Sequence, residues 1–135
     1  MMKFFLLIAS LISLTSLKES CKHKKKENSV LVTPGCYHGK LEVKGGCMNY
    51  TIGITSLNFD TSMVMANWTD ETTGKVYKNV FALNSRCTFP DTIKAGDEFY
   101  FKIDSTSVQN CAVCLMYYPV PAKKLSIKVI KGPCE

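Results

Sequence analysis

Six cysteines from residue 36 onward constrain this chain more than any other feature: Cys36, Cys47, Cys87, Cys111, Cys114 and Cys134. A length of 135 residues makes one domain. A single small domain has a limited core, and cross-links that add to it form and persist in oxidising compartments. Six cysteines can close three bridges, and spacing narrows the choice. Cys111 and Cys114 are three positions apart, so on a regular strand they point to opposite faces and bridge to different partners. Cys87 opens a loop just before the strand leading back to them, which makes it a partner for one of the two. A Cys36–Cys134 bridge would tie the ends of the domain together, and Cys47 would then take the other member of the pair.

The residues between the cysteines read as short strands. Lys40–Lys44, "KLEVK", alternates strictly, with Leu41 and Val43 on one face. Residues 48–54, "MNYTIGI", place Met48, Tyr50, Ile52 and Ile54 on one face, and Gly45-Gly46 suits a tight turn between the two strands. Residues 63–68 and 75–83 form a second hairpin across "TDETTG", where Asp70 and Gly74 supply turn chemistry. "FYFKI" (99–103) turns Phe99, Phe101 and Ile103 inward. "CAVCLMYY" (111–118), apolar on both faces, predicts a central strand, broken off by Pro119 and Pro121. "LSIKVI" (125–130) turns Leu125, Ile127 and Val129 inward. Seven strands without a helical apolar stripe predict an all-β domain: an antiparallel β-sandwich or partly open barrel, braced by disulfides.

The seventh cysteine, Cys21, stands apart. Met1-Met2-Lys3 and the apolar run 4–17 have the form of an export signal. The run is too short to span a bilayer, which takes about 20 apolar residues. An odd cysteine in an exported chain needs a separate fate. The stretch "SLKESC" ending at Cys21 resembles a bacterial lipoprotein signal, with Ser20 as the small residue before the cysteine. The resemblance implies a diacylglycerol on Cys21, which would become the first residue of the mature chain. Lys18 stands where that signal usually has leucine, and Glu19 where it has a small residue. The organisation expected is a signal over 1–20, a lysine-rich tether over 21–35 and one β domain over 36–135.

Charge follows the same division. The chain carries a net +6, yet from Cys36 onward 11 Lys and Arg face 9 Asp and Glu. Lys22, Lys24, Lys25 and Lys26 concentrate the excess in the tether. Such a tract beside a lipid would lie against anionic headgroups, each lysine near the surface contributing about 1 kcal/mol. A basic tail on a nearly neutral domain is not the clustered basic face that nucleic acid requires.

Catalytic and metal chemistry find little support. Cys111 and Cys114 have Cys-x-x-Cys spacing, but their strand-like flanks lack the helix N-terminus that activates a thioredoxin-type thiol. Cys36, His38, Cys111 and Cys114 could ligate zinc, though an oxidising compartment favours cystines over thiolates. His38 is the only histidine outside the tether, and no Gly-x-Ser-x-Gly elbow is present. No catalytic residue, metal or cofactor is expected. Two sequons, at Asn49 and Asn67, would matter in a glycosylated secreted protein, and Asn49 alternates to the outer face. Of the aromatic residues, Tyr100, Tyr117 or Tyr118, and Trp68 are the candidates for a binding face.

The reading is therefore an exported, non-enzymatic envelope lipoprotein with a binding or structural β domain, its protein or small-molecule partner undefined. The alternative is a freely secreted ligand-binding domain. In signal peptide, size, three bridges and β content the chain is similar to the MD-2-related lipid-recognition family. That resemblance implies a lipid held between two sheets, in an apolar cavity of several hundred Å³ (about 300 or more). A redox role for Cys111 and Cys114 would need free, low-pKa thiols.

Overall fold

A computed structural model describes residues 35–133. The expected signal over 1–20, most of the expected tether over 21–35, and Cys134 lie outside the described residues. Seven strands follow in order: β1 (Cys36–Lys44), β2 (Tyr50–Ile54), β3 (Met65–Thr69), β4 (Val76–Leu83), β5 (Glu98–Ile103), β6 (Lys124–Leu125) and β7 (Ile127–Ile130). The fold is all-β, and the strands form a single sheet.

β1 organises that sheet. Its first half pairs with β5, from Cys36 opposite Lys102 to Lys40 opposite Glu98. Its second half pairs with β2, and the register slips between Leu41 and Val43, leaving Glu42 as the extra residue of a bulge. A bulge bends and twists a strand, which lets β1 serve two neighbours. In the sheet β1 thus lies between β5 and β2, β4 follows β2, and β3 pairs with the outer side of β4.

The last segment brings the two margins of this sheet together. β6 pairs with Ala82 and Leu83 of β4, and one residue later β7 pairs with β5. Buried Ser85 fastens the step: its Oγ donates to Ile127 O at 2.8 Å and accepts from Ile127 N at 2.9 Å. The result is a partly open barrel rather than a closed one. The β4–β6 pairing is parallel, where an antiparallel sheet was expected. The reason is parity. Four antiparallel steps lead from β4 through β2, β1 and β5 to β7, so the final segment must run the same way as β4.

Aromatic rings fill the interior. Phe81, Phe101, Leu41, Ile52 and Leu83 are fully buried, with Tyr50, Phe59, Phe89, Phe99 and Ile127 around them. Phe101 has ring contacts with Phe99 at 6.0 Å and Phe81 at 6.2 Å. Its ring edge lies where a Cβ on Gly39 would sit, only 2.9 Å from that position. Each buried phenyl contributes about 1.5–3 kcal/mol.

Three local expectations are corrected. Residues 111–118 form no strand: they belong to an irregular, largely exposed loop between β5 and β6. Ile103, at the end of β5, is exposed rather than inward. Gly45-Gly46 does not supply the positive φ of its turn; Cys47 (57°) and Met48 (56°) do, in a 3-10 turn over Gly46–Met48.

A candidate binding surface

Residues 104–123 connect β5 to β6, and their sequence explains why they stay out of the sheet. Asp104 starts the loop as a turn, accepting from Thr106 N at 3.0 Å and Thr106 Oγ1 at 2.6 Å. Those hydrogen bonds, first the side chain's and then the backbone's, hold the Asp104 carboxyl below its usual range. Pro119 and Pro121 lack the N–H that a ladder needs, and Pro121 is fully buried at the loop's return.

Two disulfides pin the loop to opposite neighbours. Cys87 bonds Cys111 and Cys47 bonds Cys114, with Cα separations of 5.5 and 5.3 Å. Cys111 N also donates to Cys87 Sγ at 3.2 Å, and Cys87 N donates to Gln109 Oε1 at 3.3 Å. The pairing matches the one drawn from spacing, though the cysteines sit in a loop and not on a strand. Cys36 is disulfide-bonded as well; the bridge expected for it ends at Cys134, outside the described residues. Cys111 and Cys114 are thus bonded to different partners and not to each other.

Beyond the disulfides the loop lies on the β1–β2 turn. A Cβ on Gly45 would fall 2.5 Å from Tyr118 Cε1, and one on Gly46 would fall 2.6 Å from Met116 Cε. Gly45 is thus needed for close approach, since a Cβ there would also fall 2.6 Å from Asn49 O, with Tyr118 half-buried above it; at Gly46 only the flexible end of Met116 would have to move. The residues between these fixings face solvent. Leu115 is 99% exposed, Tyr117 80%, Val108 66%, Met116 59% and Val113 41%. No charged residue occurs from 105 to 122, and Lys123 and Lys124, both exposed, follow at once. Tyr117 and Tyr118 were legible as candidates, whereas Val113, Leu115 and Met116 fell in the expected central strand and Val108 in none; the absence of any charge over 18 positions that include two prolines was the signal available.

Other sites are less developed. His38 on β1 has Nδ1 2.6 Å from Thr55 Oγ1 and Nε2 3.6 Å from Glu98 Oε2, with its ring 4.6 Å from that of Tyr100. The order hydroxyl–imidazole–carboxylate is that of a catalytic relay, but it lies flat on the sheet as cross-strand pairing. Among the described residues no three His, Cys, Asp or Glu side chains group to hold a metal ion. Trp68 stacks on Tyr77, its register partner, at 5.9 Å, and Lys75 Nζ lies 4.5 Å above the Tyr77 ring. Their hairpin turns on buried Asp70, whose carboxylate accepts from Thr72 N and Thr73 Oγ1, each at 2.9 Å. Burial pushes the Asp70 carboxyl up, but these hydrogen bonds outweigh it and hold it below its ordinary value.

Asn49 corrects an expectation. It is only 8% exposed, and its Nδ2 donates to Gly46 O at 2.9 Å, so it does not face outward. A glycan there would break that bond, whereas Asn67 stands exposed on edge strand β3. A pocket of about 140 Å³ opens between Ile54, Leu57, Phe59 and Val64. That pocket is smaller than the cavity of several hundred Å³ expected around a lipid (about 300 or more). The expected lipidation site Cys21 and the lysines Lys22, Lys24, Lys25 and Lys26 lie outside the described residues.

Compared with protein-family models, curated proteins and solved structures, the chain matches none.

Proposed function

We propose that this protein is a non-enzymatic binding domain of the cell envelope, anchored by lipid on Cys21, with the 104–123 loop as its binding surface. One observation carries the binding role: a run of apolar side chains held in solvent by two cross-links and a glycine seat. A loop meant to be buried needs no such fixing, and a solvated one needs no such side chains. Contiguous exposed apolar surface marks an interaction site more often than it occurs idly. The location agrees with small partly open barrels of the OB type, which bind ligands through the loop joining the first two strands and the loop before the last. That agreement is an analogy of fold and specifies no ligand.

The anchor rests on the odd cysteine behind the signal. Labelling cells with radioactive palmitate tests it: label on the wild-type chain and none on Cys21→Ser supports the anchor, and an unlabelled wild-type chain ends it. The exposed Asn67 favours the secreted reading on one point. Intact mass of the native protein separates the two, through an added diacylglycerol or an added glycan.

A further inference from the structure

We infer that the 108–118 loop is itself a membrane-insertion element, placing Leu115, Met116 and Tyr117 in the interfacial region of an anionic lipid surface. The inference rests on the loop being the binding surface; it does not require lipid on Cys21.

Leu115, Met116 and Tyr117 are consecutive, and each is more than half exposed. Leu115 and Tyr117, the two most exposed, flank Met116, whose Cε lies over Gly46. Their chemistry suits a lipid surface. Leucine and methionine enter the acyl boundary, and tyrosine prefers the headgroup level, with an apolar ring and a polar tip.

Charge complementarity selects the lipid class. The loop contains no carboxylate from 105 to 122, and Lys123 and Lys124 stand exposed at its base. Arg86 adjoins Cys87, to which the loop is bonded. Asp104 begins the loop and Asp91 lies in the loop before β5, so the positive charge is local to the return of the loop rather than general. Cationic side chains around an apolar tip match anionic headgroups around acyl chains.

Rigidity lowers the cost. The two disulfides and the Tyr118–Gly45 seat hold the loop in shape, so insertion orders little that was free. The tether does not oppose it. The domain begins at the Cys36 end of β1, whereas the loop covers the Lys44 end, a strand length of about 30 Å away. The stretch from Cys21 to Gly35 spans at most about 50 Å when fully extended. An anchor and an inserted loop can therefore reach one bilayer.

The test uses the full chain carrying Cys21→Ser, so that any binding is independent of acylation. Flotation is measured with vesicles of phosphatidylcholine plus phosphatidylglycerol and with pure phosphatidylcholine. The expected result is binding to the anionic vesicles, partly retained at high salt, and weakened about tenfold or more in Leu115→Ser/Tyr117→Ser. Leu57→Ser, a control at a leucine fully exposed on another loop, should bind as wild type, and the far-UV spectrum should be unchanged in both variants. Binding unaffected by the double substitution overturns the inference. So does binding abolished by salt alone, which assigns it to charge without insertion. A dimer without vesicle affinity that the double substitution dissociates also overturns it, making the loop a protein interface. Loss of the palmitate label on Cys21 would remove the anchor and leave this result standing.

Discussion

β5 and the 111–118 loop are both rich in large apolar residues and opposite in fate. "EFYFKI" and "CAVCLMYY" both mix large apolar residues with tyrosine. In β5 the polar residues fall at every second position, so one face goes inward and Phe99 and Phe101 are buried. In the loop no polar residue breaks the run, no face is defined, and Leu115 and Tyr117 stand in water. Hydrophobicity supplies the free energy of burial, but alternation decides which side chains receive it. A run without alternation needs a place between two layers, and a curled single sheet has only one interior, already filled by phenyl rings.

This contrast makes unequal demands on the two regions. Phe101→Ala should destabilise the domain by about 3–5 kcal/mol in urea unfolding, because its site is walled by rings that cannot collapse inward. Removing a loop disulfide should cost slightly less. The entropy model predicts about 4 kcal/mol for Cys47→Ser/Cys114→Ser and about 3 for Cys87→Ser/Cys111→Ser, since the first closes a span of 67 residues and the second one of 24. Equal losses would show that chain entropy is not what these bridges supply.

Asp70→Ala should cost about 1 kcal/mol, the ordinary value of a lost capping carboxylate. Its sign with pH follows from the lowered pKa. Native Asp70 stays ionised where the unfolded carboxylate, with a pKa of about 3.9, takes up a proton. The stabilisation is therefore complete above that value and is lost as pH falls through the native one. Acid titration of Asp70→Ala against wild type should show the two stabilities converging at low pH. Leu115→Ser should change stability by less than about 0.5 kcal/mol, since the side chain leaves water for nothing within the chain. A large loss there would place the loop in the fold and not at its service.

The sequence carried much of this, in the places where alternation was clean. β1, β2, β5 and β7 and the buried residues Leu41, Ile52, Phe99, Phe101 and Ile127 follow from period two. Cysteine spacing led to Cys87 taking one of Cys111 and Cys114 and Cys47 the other, through a strand that does not exist; in the structure Cys111 bonds Cys87 and Cys114 bonds Cys47. Neighbouring cysteines need only diverge to find different partners, and a loop crossing between two anchors separates them as well as a strand does. Three features required coordinates. Asn49 turns inward because a 3-10 turn replaced the expected tight one and its amide caps Gly46. The return of β6 to β4 depends on parity around the sheet, which no local pattern encodes. The loop's exposure depends on there being no second layer to receive it.

That parity has a mechanical corollary. A ring with an odd number of strands must join like to like somewhere, and here the join is two residues long, against five on either side of β1. Ser85 acts as its clasp. Parting along this line would disturb neither the phenyl cluster nor the two loop cystines, so the domain should breathe there first. The amides of Ala82 and Asn84, bonded across it to Lys123 O and Leu125 O, would then exchange with deuterium ahead of those along β1 and β2.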